Sequence, residues 1–550
     1  MADNYDDYSR EQLLRLLRER DRRPRFGLVW ERDEIAHDLS VNGDFVALDW
    51  DVDLSCGNNP QSNLIIEGDN FDALRFLRMT HAGRIKCIYI DPPYNTGNRD
   101  FIYNDRFVDK EDSYRHSKWL EFMYRRLELA KELLTEDGVI FVSIDDNEVF
   151  HLGLLMEQVF GVSNFLACIA WEKRYTRSNN AKLFYSLKDW IIVFRASPAL
   201  ATIKETRTLK ADANYTNPDH DPNGAWMTTS YVNPATKEKR PNLVYPITSP
   251  RGAEVRHPTH AWKYAKDEHE RHKDESRLWW GQNNDAIYPR LKLYLEEAKP
   301  MVPVDLWSYE DSGTTDEGGN ELKEIFGEAV FDNPKPTRLI ERILRIATQP
   351  GDIVLDFFAG SGTTAHAVLK LNEEDNGRRR FILVSSTEAT PEAPDKNLCR
   401  DVCAERVRRV MAGYTNKKGQ AVQGLGGGFA YLRCRRIPAA TVFRGVQHAE
   451  VWTALQLIHD VALTPYQADS ALQTANGRRG LVIYLPKLND AVLDALQSAI
   501  HAAGQAVVYS WQPALLAQRL TDPRLAFEPI PAFLVNRFGA RSSGASGGRP

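Results

Sequence analysis

Two stretches of this chain alternate strand-like and helix-like sequence, and this alternation constrains the fold more than any other feature. Between residues 60 and 200, apolar runs such as IKCIYID, GVIFVSID and DWIIVF are separated by amphipathic segments such as KWLEFMYRRLELAKELL. The pattern returns from residue 331, where DIVLDFF and RFILVSS flank the helical segment GTTAHAVLKL. Strands that alternate with helices in this way predict an α/β protein with a doubly wound sheet.

The region between these stretches lacks the alternation and is rich in Pro, Asn, Asp, Trp and Tyr. We interpret it as an inserted domain. After the second stretch, the glycine-rich segment QGLGGGF leads into a small α/β unit. The predicted domain order is an N-terminal helix and arm (1–45), the first half of the sheet (46–200), the insert (201–330), the second half of the sheet (331–425), a small C-terminal α/β domain (426–540) and a disordered tail (541–550).

Composition excludes several classes of protein. The 550 residues carry a formal net charge of -5, so contact with nucleic acid would require a local basic surface. The 6 cysteines form no C-x-x-C pair, which argues against a disulfide framework or a zinc site, and we predict no metal. The charged N-terminus does not resemble a signal peptide, and no stretch is long and apolar enough for a membrane span. We expect a soluble, cytoplasmic protein.

The segment IYIDPPYNTG ends an apolar strand with an acid, two prolines and a tyrosine. Asp91 would lie at the carboxyl end of a buried strand, where open α/β sheets bind their ligands. Pro92 and Pro93 cannot continue a strand, so they would form a stiff loop that presents Tyr94. An ordinary strand-to-turn exit, with Asp91 starting the turn, explains these four residues equally well.

A second motif, DIVLDFFAGSGTTAHAV, predicts a strand that ends at Asp356, a glycine-rich turn and a helix. A helix that begins in this way offers unpaired N–H groups to a ligand. A P-loop is disfavoured because Thr363 follows Gly362 without the required Lys. A dinucleotide site remains open, since Ala365 is tolerated at the third glycine position. S-adenosylmethionine is the third candidate, and a purely structural turn is a fourth. The presence of both motifs in one chain favours S-adenosylmethionine.

Taken together, these motifs resemble the amino-methylating DNA methyltransferases in which DPPY precedes F-x-G-x-G. The chain is most similar to the modification subunit of type III restriction–modification systems. The resemblance runs from near residue 10 to about 435, and it includes the segments GLVWERD, IIEGDNFDAL, IDPPYNTGN, GVIFVSIDDNE, RPNLVYPI, AVFDNPKPTRLIERIL and FFAGSGTTAHAVLKLN. It implies a Rossmann-like S-adenosylmethionine-dependent methyltransferase sheet with an inserted target-recognition domain. The implied reaction is methylation of N6 of an adenine that has been flipped out of the duplex.

The resemblance also assigns residues. The Asp91 carboxylate and the Pro92 carbonyl would accept the N–H bonds of the target amine, Pro93 would fix the loop and Tyr94 would stack on the base. The cofactor-binding residues would be Asp69, Lys335, Pro336, Asp356, Phe357, Phe358, Gly360, Ser361, Gly362, Thr363 and Glu388. A solvated loop acid is an equal alternative for Glu388, and a surface charge is an alternative for Lys335. For Asp145 and Asp146 we favour structural or cofactor-loop roles.

The insert would read the DNA. Basic and aromatic side chains are interleaved there, which suits contact with phosphates and bases, and the predicted DNA-binding residues are Trp279, Trp280, Arg290 and Lys292. The alternative is that at least one of the two tryptophans belongs to a core. Pro218-Asp219 with Glu297-Ala298-Lys299 imitates a nuclease signature, but we interpret these residues as a salt network and predict no cleavage.

Three other functions stay open. An N4-cytosine methyltransferase solves the same chemical problem, although such enzymes more often carry Ser where this chain has Asp91. A non-catalytic recognition subunit of a defence complex is a second alternative. A protein-glutamine methyltransferase is a third, but it would normally carry Asn at that position. The predicted partners are double-stranded DNA, a second copy of the chain, and a helicase–nuclease restriction subunit or other phage-defence proteins, without a membrane.

Overall fold

The computed structural model describes residues 9–10, 13, 28–32, 35, 38, 41–57, 63–97, 102–103, 106–177, 183–207, 209–390, 393–478, 480–501 and 505–539. Most of the predicted N-terminal helix and the predicted disordered tail lie outside these residues. The chain forms two compact units, one of residues 1–202 with 304–550 and the other of residues 203–303. The first unit is called the body here, and the second is called the insert.

A mixed sheet forms the centre of the body. Its strands are ordered Phe45–Cys56, Phe429–Ile437, Leu64–Glu67, Arg380–Ser385, Ile353–Asp356, Ile85–Ile90, Leu134–Ile144, Lys188–Arg195, Phe165–Glu172 and Leu306–Trp307. From Phe429–Ile437 to Leu134–Ile144, neighbouring strands are parallel. Lys188–Arg195 is antiparallel to both of its neighbours. The predicted α/β class with a doubly wound sheet is confirmed.

Helices cover both faces of this sheet, which explains why its strands are apolar without alternation. Ile88 and Ile90 point into one core, which contains the helices Asn70–His81, Arg115–Leu133 and Val149–Phe160. Cys87 and Tyr89 point into the opposite core, which contains Thr337–Ala347, Thr363–Asp375 and Glu405–Ala412. None of the described helices is both long enough and apolar enough to cross a membrane.

The sheet reverses its winding between two neighbouring strands. Ile353–Asp356 pairs in parallel with Ile85–Ile90, with Leu355 opposite Ile88. The helix that follows the first strand packs on one face, and the helix that follows the second strand packs on the other. Such a switch opens a crevice at the carboxyl ends of the two strands, and open α/β sheets bind ligands there. Both sequence motifs end at this crevice.

The insert is shorter than predicted. Residues 304–330 belong to the body rather than to the insert, because Leu306–Trp307 pairs with Phe165–Glu172 and Trp307 is fully buried. The insert contains a sheet of Leu278–Trp279, Arg290–Tyr294 and Trp226–Ser230, the strand pairs Val232–Thr236 with His260–Trp262 and Ile247–Thr248 with Glu254–Val255, and the helix Lys266–Asp274. Its own core is formed by Tyr231, Tyr245, Ile247, Trp262, Trp280 and Leu291.

The C-terminal region is not a separate domain, contrary to the prediction for 426–540. Its first strand, Phe429–Ile437, lies inside the central sheet. A smaller sheet follows, with strands Gln473–Gly477, Gly480–Leu485, Ala506–Ser510 and Leu525–Pro529 and with helices His448–His459, Asp490–His501, Pro513–Arg519 and Ala532–Gly539. The last helix packs on the body, where Arg537 Nε donates a hydrogen bond to the Met79 carbonyl at 2.6 Å. Apolar side chains of this region share one core with the body.

Candidate active site

Asp91 and Lys335 connect the two halves of the sheet at the crevice. Asp91 directly follows the strand Ile85–Ile90, and Lys335 lies two residues before the helix Thr337–Ala347. Lys335 Nζ is 2.5 Å from Asp91 Oδ2, and the Lys335 side chain is only 10% exposed. Lys335 is therefore not a surface charge. The other carboxylate oxygen, Asp91 Oδ1, is buried and has no hydrogen-bond partner in the part of the chain that the structure describes.

The loop that carries Asp91 is held rigidly. Residues 91–94 are called the DPPY loop from here on. Trp119, which is fully buried, donates a hydrogen bond from Nε1 to the Pro93 carbonyl at 2.7 Å. The Tyr94 ring lies beside Lys335, with Nζ 5.2 Å from the ring centre. The Tyr94 hydroxyl is buried beside the Asp91 side chain, without a hydrogen bond of ordinary length among the described residues. Burial, followed by the charge of Asp91, raises its pKa well above the ordinary value.

Asp356 lies at the end of the neighbouring strand and is almost completely buried. Its carboxylate accepts hydrogen bonds from the Thr364 hydroxyl at 2.5 Å and from the Phe358 N–H at 3.1 Å. Burial raises the pKa of Asp356 to about 7, and the nearby charge of Asp91 acts in the same direction. The two acids that end the two motifs therefore influence one another electrostatically, as the predicted joint site requires.

The glycines of the second motif are required by the protein itself. Gly360 and Gly362 have φ of 49° and 77°, in the region that favours glycine. A Cβ on Gly362 would lie 3.0 Å from the Cys403 carbonyl oxygen, and a Cβ on Gly360 would lie 3.1 Å from Phe331 Cζ. The space beside each glycine is therefore occupied by protein, and a side chain at either position would displace it.

Arg406 is a site residue that the sequence analysis missed. It is fully buried, and Nη1 donates hydrogen bonds to the Thr363 hydroxyl at 2.7 Å and to the Ser361 hydroxyl at 3.2 Å. The two hydroxyls predicted to bind cofactor therefore already bind Arg406. The Thr363 hydroxyl also contacts the Lys335 carbonyl at 3.3 Å, so this network ties the glycine turn to Lys335. The only sequence signal was an arginine on the buried side of a helix.

Asp69 acts as a helix cap. Its Oδ1 accepts from the Phe71 N–H at 2.8 Å, and Oδ2 lies 3.4 Å from Arg126 Nη2. The next residue, Asn70, donates to the Phe357 carbonyl at 3.1 Å and so connects this strand end to the glycine motif. Phe357 itself is buried, whereas the following Phe358 is half-buried.

Pro336 lies between Lys335 and the helix Thr337–Ala347, at the N-cap position of that helix. Glu388 is different, because it lies on an exposed loop and its carboxylate is 2.9 Å from Lys396 Nζ. This arrangement favours the alternative of a solvated loop acid. Asp146 also has a structural role, since it pairs with Lys188 and accepts from Trp190 Nε1 at 2.7 Å.

Beside the DPPY loop, the structure brings together a cluster that has no counterpart in the sequence prediction. His116, Glu148 and His151 each place one nitrogen or carboxylate oxygen within 4.8 Å of those of the others. Glu148 is completely buried, and its Oε1 accepts a hydrogen bond from Asn95 Nδ2 at 2.5 Å. His116 and Glu148 are distant in sequence, so no spacing rule could have found their contact.

Within the insert, two of the four predicted DNA contacts are not accessible. Trp280 is 4% exposed and belongs to the core, and Lys292 is 5% exposed. Lys292 Nζ lies 2.5 Å from carboxylate oxygens of both Asp219 and Asp221, so its charge is already compensated. The prediction that these two side chains bind DNA is corrected for that reason. Arg290 is exposed and Trp279 is half-buried, so both remain candidates. The remaining part of the nuclease-like pattern, Glu297, pairs with Arg277, which agrees with a salt network.

Comparison with known proteins gives one clear result. The family model for DNA methylases that act on N6 or N4 matches residues 85–390, which is more than half of the chain. The chain is 33% identical over 386 residues to the StyLTI Mod subunit, a type III restriction–modification protein of Salmonella typhimurium, with coverage of 64% of this chain and 58% of that subunit.

Two other relatives agree with this result. The chain is 30% identical over 479 residues to the EcoPI Mod subunit of Escherichia phage P1, which covers 76% of this chain and 71% of that protein. It is also 33% identical over 352 residues to the type II methyltransferase M.KpnI of Klebsiella pneumoniae, which covers 59% of this chain and 81% of that protein.

Proposed function

This chain belongs to the N6/N4 DNA methylase family, and we propose that it methylates N6 of a flipped-out adenine at a specific sequence in double-stranded DNA. One observation carries the proposal. Asp91 Oδ1 and the Tyr94 hydroxyl are buried side by side, and neither makes a hydrogen bond of ordinary length among the described residues. A buried acceptor of this kind is costly unless a ligand completes it. The N–H of an exocyclic amine is a matching donor.

The chemistry follows from the electron distribution of adenine. The N6 lone pair is delocalised into the ring, so the amine is a poor nucleophile. Asp91 Oδ1 and the Pro92 carbonyl would accept its two N–H bonds and favour a more tetrahedral nitrogen, which is preorganised electrostatic stabilisation. Lys335 Nζ, 2.5 Å from Asp91 Oδ2, holds the carboxylate in place, so that Oδ1 is left for the target amine. The Tyr94 ring would stack on the base and orient it.

The methyl donor of this family is S-adenosylmethionine, which supplies an electrophilic methyl group on a sulfonium. The residues of the crevice fit such a molecule. The helix Thr363–Asp375 begins at Gly362 without a side-chain cap, so its first N–H groups are available to polar groups of a ligand. Asp356, Lys335 and the glycine turn would line the cofactor side of the crevice, next to Asp91.

The relatives suggest the biological setting. We propose that the chain is the modification and recognition subunit of a type III-like restriction–modification or other phage-defence system, in which the insert selects the DNA sequence. It would act as a homodimer beside a helicase–nuclease subunit. An N4-cytosine methyltransferase is the second candidate, because one family model covers both reactions.

The proposal is tested by expressing the protein in a host that lacks its own DNA methylation and sequencing the genome with detection of modified bases. We expect N6-methyladenine at one short sequence motif, and none with the Asp91→Ala variant. N4-methylcytosine at the motif would favour the second candidate. Absence of any modified base, with the protein folded and expressed, would contradict the proposal.

A further inference from the structure

A hydrogen-bond network adjoins the DPPY loop, and the direction of each bond to Glu148 Oε1 can be assigned. Arg115 Nε donates to His116 Nε2 at 3.2 Å, so His116 carries its proton on Nδ1. That nitrogen donates to Glu148 Oε1 at 2.6 Å. Asn95 Nδ2 donates to the same oxygen at 2.5 Å, and His151 Nδ1 lies 2.9 Å from Glu148 Oε2. The network therefore converges on the completely buried carboxylate of Glu148.

Asn95 connects this hydrogen-bond network to the DPPY loop. It immediately follows Tyr94, is fully buried and has φ of 55°, a left-handed conformation that Asn adopts more readily than most residues other than glycine. Its side-chain amide donates to Glu148 and also contacts the Arg115 carbonyl at 3.3 Å. Both of its N–H bonds are thus engaged by the helix Arg115–Leu133 and by Glu148. These contacts hold Asn95 in its left-handed conformation, and with it the end of the DPPY loop.

We propose that Glu148 is a positioning residue for methyl transfer, which acts through Asn95 to keep Asp91 and Tyr94 in the productive geometry. The inference rests on the proposed function. It explains why a carboxylate without a direct Lys or Arg partner among its described contacts is buried beside the loop. Such burial is costly and raises the pKa of Glu148 to about 7, and the hydrogen bonds that Oε1 accepts from Asn95 and His116 offset part of this cost.

A metal site is the competing interpretation of the same side chains. His116 Nδ1 and Glu148 Oε1 are 2.6 Å apart, which is a hydrogen-bond distance. Two ligands of one tetrahedral zinc ion, each about 2.0–2.1 Å from the metal, lie about 3.3 Å apart. The observed distances therefore favour proton-mediated contacts.

A double-mutant cycle tests the inference. We expect Glu148→Ala and Asn95→Ala each to lower kcat about 100-fold, because a misplacement of about 1 Å at a reacting group has an effect of this size. The Kd for S-adenosylmethionine should stay within about 3-fold of wild type. Because both act through one contact, the double variant should be no slower than the slower single variant. Glu148→Gln keeps one acceptor oxygen for Asn95, so it should recover most of kcat, and Glu148→Gln with Asn95→Ala should match Asn95→Ala alone. This second cycle replaces the first if Glu148→Ala does not fold.

Glu450 provides a matched control, because it is also a buried carboxylate, 2% exposed and 2.5 Å from its Arg435 partner. Glu450→Ala should lower the melting temperature and leave kcat within about 2-fold, since helix His448–His459 carries no residue of the site. The inference would be overturned if the losses of kcat in the two single variants multiply in the double variant of both cycles. It would also be overturned if the kcat of Asn95→Ala stays within 3-fold of wild type. Activity that a chelator removes and zinc restores would overturn it as well. A wild-type protein that transfers no methyl group to DNA would instead overturn the proposed function and, with it, the basis of the inference.

Discussion

Replacing Asp356 by Asn is expected to stabilise the cofactor-free protein, and increasingly so as the pH rises. The carboxyl is buried at the end of the strand Ile353–Asp356, and it contacts the Phe358 N–H and the Thr364 hydroxyl. An Asn side chain of the same shape keeps the first contact through its oxygen. The Thr364 hydroxyl can rotate to accept from the Asn amide, so neither hydrogen bond needs to be lost.

The magnitude follows from the pKa of this carboxyl, which burial raises from 3.8 to about 7. At about 1.4 kcal/mol per pH unit, the ionised form costs about 4 kcal/mol in the folded protein. Between these two pH values the folded protein binds more protons than the unfolded chain. The wild type therefore loses stability as the pH rises from about 4, and the full loss is reached above about 7. The Asn variant should gain roughly 1.6 kcal/mol at pH 5 and about 4 kcal/mol at pH 8.

Reversible urea unfolding of both proteins at pH 5 and pH 8 measures this difference. Asp146→Asn is the matched control, because hydrogen bonds from Lys188 and Trp190 outweigh the opposing effect of burial and lower the pKa of Asp146. That control should lose stability near neutral pH. An Asp356→Asn variant that is no more stable than wild type at pH 8, or whose gain does not change between pH 5 and pH 8, would refute the reasoning.

Three further predictions concern the loop, the turn and the insert. Asp91→Ala should lower kcat by at least about 1,000-fold with little change in the Kd for S-adenosylmethionine, measured by methyl transfer and calorimetry; near-normal turnover would remove Asp91 from its role. Gly362→Ala should lower the melting temperature by several degrees, because its Cβ would lie 3.0 Å from the Cys403 carbonyl oxygen, and an unchanged melting curve would contradict this packing argument. Exchanging residues 203–303 for the insert of a relative should redirect methylation to the relative's sequence. A folded chimera that still methylates the original sequence would locate recognition elsewhere.

The architecture of the site could be predicted from sequence because its signals are local. A continuous apolar run such as Ile85–Ile90 indicates a strand buried on both faces, and the residue after it must lie at the ligand edge. The same reasoning applies to Ile353–Asp356. The fold class therefore places Asp91 and the second motif at the same edge of the sheet. Lys335, which the resemblance assigned to the cofactor, lies at the same edge and contacts Asp91, a contact that the sequence did not predict.

The errors come from contacts that sequence spacing does not encode. Leu306–Trp307 is a strand of two residues, too short to show a period, so the end of the insert was placed too late. Phe429–Ile437 joins the central sheet beside Leu64–Glu67, more than 350 residues earlier, and the glycines before it were taken for a domain joint. Lys292 was interpreted as a DNA contact because its charge was visible in the sequence, whereas its two carboxylate partners, more than 70 residues away, were not.

The central claim is tested most directly by mass spectrometry of nucleosides. Purified protein is incubated with unmethylated double-stranded DNA and S-adenosylmethionine carrying a deuterated methyl group, and the DNA is then digested to nucleosides. The account predicts that the wild type forms N6-methyldeoxyadenosine with the deuterated methyl group, and that Asp91→Ala does not form this product. Label found in N4-methyldeoxycytidine, or no labelled nucleoside at all from folded protein that binds the cofactor, would contradict it.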